Sequence, residues 1–168
     1  MRSDLAYRLY RRSKRRSKGK QMIRRFGEPP HDGIKYTLRP GAYAILQQND
    51  RILLTFQDSP FLEFQLPGGG IDPNENVIHA LRREILEETG YTIGAPRKIG
   101  AFRRFVHMPE YNIWAEKLCH IYYARPALKK GPPTETGHTS HWVSKQQAIS
   151  FVANVGDRHF LRRTFRSL

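Results

Sequence analysis

Residues 69–91 read GGIDPNENVIHALRREILEETGY, and this stretch decides which fold we expect. Two glycines open it, and a helix is predicted from Val77 to Thr89, because Asn76 can cap its first turn and Gly90 can end it in the left-handed conformation. Apolar side chains recur at helical spacing along one side of this helix, at Ile78, Leu81 and Ile85. We therefore expect a glycine-rich loop followed by a helix that packs one side against a sheet.

Three acids of this helix, Glu84, Glu87 and Glu88, stand at positions i, i+3 and i+4 and share one face. Like charges at this spacing destabilise a helix by roughly a few tenths of a kcal/mol per pair, and a divalent cation such as Mg²⁺ or Mn²⁺ would offset that repulsion. Arg83 precedes Glu87 by four residues and can orient a carboxylate. A solvated acidic face is the alternative, and the glutamates alone would favour it. Their fixed spacing from a glycine loop, whose amides can approach a phosphate, favours a metal site instead.

The same stretch resembles the signature of the Nudix hydrolases, Gly-x5-Glu-x7-Arg-Glu-U-x-Glu-Glu-x-Gly-U, where U is apolar. Every fixed position is matched, and the only soft departure is an aromatic residue at the last position. The preceding segment 66–70, Leu-Pro-Gly-Gly-Gly, also resembles the family's approach to this signature. The resemblance implies an α/β/α sandwich with a mixed central β-sheet. The matching residues are Gly69, Glu75, Arg83, Glu84, Ile85, Glu87, Glu88, Gly90 and Tyr91.

The resemblance also implies a reaction, which is attack of water on a pyrophosphate linkage with the help of Mg²⁺ or Mn²⁺. Carried over by position, Glu84, Glu87 and Glu88 are expected to bind the metal, and Glu84 is a candidate base. Arg83 is expected to orient glutamates, with Glu75 in a supporting role. The loop of Gly68, Gly69 and Gly70 is expected to bind phosphate, and the carbonyl of Gly69 is a candidate metal ligand.

Residues outside the signature complete the list of candidates. Many family members recruit one more acid, and two residues of this chain are candidates for it. Glu135 precedes a short strand at His141–Val143 and is favoured over Glu116, which begins another strand. Arg39 and Arg103 are candidates for substrate binding, because both lie on strands around the expected cleft; ordinary solvated charges are the alternative for each.

The substrate remains open at this level. The resemblance is compatible with a (d)NTP, an oxidised dNTP, ADP-ribose or another nucleotide sugar, or a dinucleoside polyphosphate. One alternative is removal of pyrophosphate from RNA 5′ ends, which would use a basic arm. Another is a domain that binds nucleotide or RNA without catalysis, but intact signature glutamates argue against it.

The remaining sequence predicts a mixed α/β domain, because strands, a helix, further strands and a second helix follow one another. Strands are predicted at 36–38, 42–46 and 51–56, with a turn at 47–50. A helix is predicted from Lys145 to about Asn154, and a basic helical segment over residues 157–166. We divide the chain into a basic arm, residues 1–30, and a Nudix domain, residues 31–168, whose compact part begins near Ile34. Within the arm, a short helix is expected near residues 4–13.

Charge and cysteine content indicate which partners and which cellular location we expect. The net charge is +14, and residues 1–25 hold eleven Lys/Arg against one acid, Asp4. Such an arm suits contact with nucleic acid, whereas a solvated tail or an arm on a second subunit of a homodimer are the alternatives. The single cysteine, Cys119, cannot form an internal disulfide, so a cytoplasmic location is the default. An organellar transit peptide is a less favoured interpretation of the arm. No apolar run reaches the length of a transmembrane segment.

Overall fold

The computed structural model describes residues 23–166. Within them no helix has the length and apolar character needed to cross a membrane. The helices are α1 (Val77–Thr89), α2 (Lys145–Phe151) and α3 (Val155–Arg166), with a short 3-10 helix at Pro109–Tyr111. The strands are β1 (Arg24–Arg25), β2 (Thr37–Gln48), β3 (Arg51–Gln57), β4 (Glu63–Gln65), β5 (Gly68–Gly70), β6 (Tyr91–Ile93), β7 (Arg97–Met108), β8 (Ile113–Ala124), β9 (Pro126–Lys129) and β10 (His138–Ser144).

The main sheet is mixed. Its strand order is β1-β7-β8-β2-β3-β10, with β4 paired to β3 and β5 paired to β2. Strands β2 and β8 run parallel, as do β1 and β7, whereas β7–β8, β2–β3, β2–β5 and β3–β10 are antiparallel. A small second sheet pairs β6 with β9. The predicted mixed central sheet is therefore confirmed.

Alternation along β2 separates two hydrophobic layers. Ala42, Ala44 and Leu46 pack with Leu81 and Ile85 of α1 on one face of the sheet. On the other face, Tyr43 and Ile45 belong to a cluster that includes Ala148 of α2 and Phe160 and Leu161 of α3. Because successive strand residues point to opposite faces, one strand holds both helical layers, which gives the predicted α/β/α sandwich.

Three boundaries differ from those predicted. The strand predictions at 36–38 and 42–46 merge into the single strand β2, which continues through Pro40. Pro40 directs its carbonyl to the β5 side, where it accepts the Ile71 amide, so the ladder with β8 needs no N–H from it. The second helix ends at Phe151 rather than near Asn154, because Asn154 accepts the Gly156 amide and begins α3. The turn predicted at residues 47–50 is shorter in the structure, because Gln47 and Gln48 end β2 and only Asn49, with a positive φ of 53°, and Asp50 form the turn.

The predicted arm and domain meet on the edge of the sheet. Arg24 and Arg25, which we assigned to the arm, pair in parallel with Phe102 and Arg103 of β7. The Phe26 amide donates to the Arg103 carbonyl, and the Phe26 ring packs edge-on against Phe102. The rest of the arm, with the helix expected near residues 4–13, lies outside the described residues.

Candidate active site

Helix α1 is fixed at both ends. Asn76 accepts the Ile78 amide through its side chain at 2.9 Å. Gly90 has a φ of 71°, and a Cβ there would lie 2.0 Å from the Gly131 carbonyl oxygen, so only glycine fits this end of the helix. Leu81 and Ile85 are fully buried, and burial of each contributes about 1.5–3 kcal/mol. The helix is therefore seated firmly on the sheet, and its acids lie along the edge of this apolar stripe, where Glu88 is itself buried.

Arg83 links three of the signature acids. Its Nε and Nη2 donate to the two carboxylate oxygens of Glu75, both at 2.9 Å. Its Nη1 donates to Glu84 at 2.7 Å and to Glu87 at 3.2 Å. The hydrogen bonds from Arg83 lower the pKa of Glu75 to about 2 and keep this carboxylate ionised. Arg83 thus holds the position of Glu84 and Glu87, while Glu75 holds Arg83.

Glu88 is the buried acid of the helix, with 3% of its surface exposed. The Gly68 amide donates to its Oε2 at 2.9 Å, and this contact ties the helix to β5. Burial raises the pKa of Glu88 well above its usual range, and the hydrogen bond from Gly68 opposes that rise. A cation bound beside this carboxylate would lower the free-energy cost of keeping it ionised while buried.

Glu135 reaches this cluster through the backbone. The amides of Thr134 and Glu135 donate to the Glu87 carbonyl at 2.7 and 3.1 Å, which docks their loop on the last turn of α1. Carboxylate oxygens of Glu84, Glu87 and Glu135 all lie within 4.8 Å of one another. Glu116, the other candidate, lies elsewhere, where it accepts from Arg103 Nη1 at 2.9 Å.

His138, which was not among the candidates chosen from the sequence, also belongs to this cluster. It begins β10, with its Nε2 3.5 Å from Glu88 and its Nδ1 3.7 Å from Glu135. One atom of each of these three residues lies within 4.8 Å of the others. The only signal in the sequence is its spacing of three residues from Glu135, which by itself cannot specify such a contact.

Close packing explains two glycines of the loop. A Cβ on Gly69 would lie 2.2 Å from Glu84 Oε2, so this position must stay open for the carboxylate. Gly68 has a φ of 129°, and a Cβ there would meet the Ala42 carbonyl oxygen at 2.2 Å. Gly70 differs, because a Cβ there would meet nothing within 4 Å. The loop is therefore seated between β2 and the acids of α1.

The two arginines predicted to bind substrate have their described contacts elsewhere. The Arg39 guanidinium lies 4.8 Å from the centre of the Tyr111 ring. Arg103 forms its ion pair with Glu116 across β7 and β8. Neither contact joins the acidic cluster, and a substrate role for either arginine stays a prediction.

A narrow pocket lies behind the glycine loop, on the α2 and α3 face. Its lining includes Tyr43, Arg104, Lys117, Asn154 and Asp157. Burial raises the pKa of Asp157 to about 6, although the nearby Arg104 and Lys117 oppose the rise. The Tyr43 ring also borders the loop, because a Cβ on Gly41 would lie 2.9 Å from both Tyr43 and the Gly69 carbonyl oxygen. Buried polar groups of both signs therefore adjoin the loop.

Comparison with known families identifies the arrangement of loop, helix and acids. A family model described as the NUDIX domain matches residues 37–164, which is most of the chain. This chain belongs to the Nudix family. The matched range contains both α1 and the Glu135 loop, and the family resemblance predicted from the signature is confirmed.

Two curated relatives match the Nudix chain over part of their length. A Bacillus subtilis protein named "Putative 8-oxo-dGTP diphosphatase" is 46% identical over 76 residues, which cover 44% of this chain and 50% of that one. An "8-oxo-dGTP diphosphatase" from Buchnera aphidicola is 36% identical over 80 residues, covering 47% and 58%. The matched stretch thus spans about half the length of these relatives.

Solved Nudix structures share the fold. A NUDIX hydrolase from Nitrosomonas europaea superposes with a TM-score of 0.63 at 17% identity, covering 78% of this chain and 90% of that one. A MutT protein from Bacillus halodurans gives a TM-score of 0.61 at 21% identity, with 74% and 80% covered. At these identities the likeness supports the sandwich architecture alone.

The donor set of the Nudix cluster fits a divalent cation. Glu84 and Glu87 converge with Glu135, which also converges with Glu88 and His138. Arg83 contacts Glu84 and Glu87 but also pairs with Glu75, so its single positive charge does not balance these acids. The cluster therefore carries an excess of negative charge in a partly buried place, which costs free energy without a counterion. Carboxylate oxygens are the ligands that Mg²⁺ and Mn²⁺ prefer.

Proposed function

We propose that this chain is a Nudix hydrolase that uses Mg²⁺ or Mn²⁺ to cleave a pyrophosphate linkage in a nucleotide, with an oxidised purine triphosphate such as 8-oxo-dGTP as the favoured substrate. The observation that carries the proposal is the convergence of Glu84, Glu87, Glu88 and Glu135 beside the glycine loop. The choice of substrate is supported by the names of both curated relatives.

The acids divide into an inner and an outer pair. The side chains of Glu84 and Glu88 are 14% and 4% exposed, whereas those of Glu87 and Glu135 are 41% and 39% exposed. The inner pair would hold metal close to the phosphate loop, and the outer pair would hold it on the side open to water. When bound, the metal would polarise the phosphoryl oxygens and lower the pKa of an attacking water.

The chain's own residues would position the reactants. Arg83 holds Glu84 through Oε1, which leaves Oε2 directed to the glycine loop, so Glu84 remains our candidate for taking the proton of the attacking water. The Gly68 amide is already bonded to Glu88, so phosphate oxygens would be bound by the remaining amides of the glycine loop, where the absence of Cβ atoms allows close approach.

The base edge of the substrate would approach the polar groups of the narrow pocket behind the loop, whose volume of about 10 Å³ is too small for a whole nucleoside. Lys117 and Arg104 supply positive charge there, and Asn154 and Asp157 supply groups that can hydrogen-bond a base edge. Such groups are the kind that separate one base from another, since an unpaired buried polar group is costly.

The test is a hydrolysis assay on 8-oxo-dGTP, dGTP, ADP-ribose, diadenosine polyphosphates and triphosphorylated RNA, each with Mg²⁺, with Mn²⁺ and with EDTA. We expect release of pyrophosphate from 8-oxo-dGTP with the highest kcat/KM, and no turnover in EDTA. Glu88→Gln should abolish turnover while the domain stays folded, and Glu28→Gln, at an exposed acid outside the cluster, should not. Substantial metal-dependent hydrolysis by Glu88→Gln would overturn the assignment.

The alternatives named from the sequence have no contact among the described residues that favours them. Preferred turnover of triphosphorylated RNA would support the RNA-end reaction, and binding without turnover of any substrate would support the non-catalytic domain. The cytoplasmic location, the homodimer and a role of the arm in nucleic-acid binding stay predictions.

A further inference from the structure

A second cavity lies at the free edge of the sheet, away from the acidic cluster. Strand β1 covers β7 only at Phe102 and Arg103, so in the described chain the outer edge of β7 from Arg97 to Ala101 has no strand partner. Helix α3 passes beneath this edge, and the space between them has a volume of about 440 Å³. A neighbouring space of about 470 Å³ shares Lys98 and Phe160 with it. We refer to the first space as the edge cavity.

The edge cavity is lined by basic residues. Arg24, Lys98, His120, His159 and Arg163 all lie on its wall, and none of the described lining residues is Asp or Glu. Burial lowers the pKa of both histidines, and their cationic neighbours lower it further, Lys98 for His120 and Arg24 for His159. Both histidines are therefore uncharged at neutral pH, and Arg24 and Lys98 give the edge cavity positive charge.

Aromatic rings form the apolar part of the wall. Phe26 and His159 have ring centres 5.0 Å apart, and His159 and Phe160 have ring centres 5.5 Å apart. Gly100 lets β7 approach α3, because a Cβ there would lie 2.5 Å from the Phe160 ring. His120 adds a buried Nδ1 without a hydrogen-bond partner. The wall thus offers flat apolar surface, positive charge and an unsatisfied polar atom together.

This combination points to one chemical class of ligand. Small-molecule sites have volumes of about 300–1,000 Å³, and this volume suits a mononucleotide. Aromatic faces stack on bases, and Lys and Arg bind phosphate, which together describe sites for nucleoside phosphates.

We propose that the edge cavity is a second ligand site, for a nucleoside phosphate, separate from the proposed catalytic cluster. The nucleoside phosphate could be a free mononucleotide or the phosphorylated end of a single strand, which share this chemistry. The proposal goes beyond the proposed hydrolysis and does not depend on it, since no lining residue belongs to the acidic cluster or the glycine loop.

The test measures binding of AMP and of a 5′-phosphorylated deoxyadenosine hexanucleotide to the full chain in EDTA, where hydrolysis is suppressed. The test variant is Arg24→Gln with Lys98→Gln, and the control is Arg51→Gln with Lys130→Gln, which removes the same charge at exposed positions outside the cavity. We expect the test variant to bind about tenfold more weakly than the control. For the hexanucleotide, the slope of log K against log salt should also fall by about 1 to 2.

Histidine NMR signals give a second, local measurement. Addition of AMP or hexanucleotide should shift the signals of His120 and His159 in the unmodified chain, and the shift should be reduced in the test variant. A shift with both probes at similar affinity identifies a free nucleotide as the occupant, and a much stronger hexanucleotide response identifies a strand end. Equal binding by test and control variants, or histidine signals that move with neither probe, would overturn the proposal.

Discussion

Replacement of Gly69 by alanine should lower the catalytic rate while leaving the free energy of unfolding nearly unchanged. A Cβ at this position would lie 2.2 Å from Glu84 Oε2, whereas ordinary contacts begin at 3.4 Å, so the carboxylate must move by about 1.2 Å. The moving atom is the end of a flexible side chain. The free energy of unfolding should therefore change by about 1 kcal/mol or less, since a weakened hydrogen bond from Arg83 is offset by the loss of glycine freedom in the unfolded chain. A misplacement of about 1 Å in a catalytic group costs roughly 100-fold in rate.

The adjacent glycine supplies the matched control. Gly70→Ala adds the same methyl group one residue away, where it would meet nothing within 4 Å. Initial rates on 8-oxo-dGTP with Mg²⁺ would give kcat/KM for both variants, and urea unfolding would give their stabilities. We expect about a 100-fold loss for Gly69→Ala and less than about a threefold change for Gly70→Ala.

Three results would refute this reasoning. Equal losses of kcat/KM in the two variants would mean that the loop tolerates no added methyl group, independently of the position of Glu84. Full activity in Gly69→Ala would mean that the placement of Glu84 against the loop is not needed for turnover. A large loss of stability in Gly69→Ala alone would show that the clash is taken up by backbone rather than by the carboxylate.

Three further predictions concern single residues. Glu135→Gln should lower kcat/KM by about 10- to 100-fold and Glu116→Gln by less than about twofold, since only Glu135 lies in the acidic cluster; steady-state rates with the reverse order would make Glu116 the accessory acid. His138→Ala should weaken Zn²⁺ binding, measured by calorimetry, by about tenfold or more and leave Mg²⁺ binding nearly unchanged, since imidazole is a poor ligand for Mg²⁺; equal losses for both metals would contradict a ligand role. Asp157→Asn should become more stable than the unmodified chain as pH rises. The pKa of Asp157 is raised in the folded state, to about 6 from 3.8. Its contribution to stability is therefore complete below pH about 4 and is lost as pH rises through about 6. This loss is about 3 kcal/mol, and the neutral Asn avoids it. Urea unfolding between pH 4 and 7.5 that gives a constant difference would rule this out.

Local signals allowed the central helix to be predicted residue by residue. Its bounds, Val77–Thr89, and its caps at Asn76 and Gly90 agree with the structure, because capping and periodicity are properties of adjacent residues. The break between α2 and α3 was predicted but placed about three residues too late, since the pattern of apolar residues continues past Phe151 and only the side chain of Asn154 interrupts it.

Contacts between distant segments set the limit of prediction for the site. Glu135 was recognised by its position before a strand, but its approach to Glu87 depends on backbone bonds across almost fifty residues. His138 faces Glu88 only because β10 pairs with β3 in one register, and no local pattern encodes that register. Arg103 has the charge expected for binding phosphate, yet it forms an ion pair with Glu116 of the neighbouring strand, a contact that no local pattern encodes.

The carbonyl of Glu87 receives two amides from the segment that carries Glu135, and the Lys130 amide is fastened to the Gly90 carbonyl. Glu135 is therefore held in place by backbone hydrogen bonds to the end of the helix, which lie on both sides of residues 131–133. Lengthening a surface loop costs little free energy. This short span is consequently a favourable place to graft an affinity tag or a reporter dye while leaving the geometry of the acids in register.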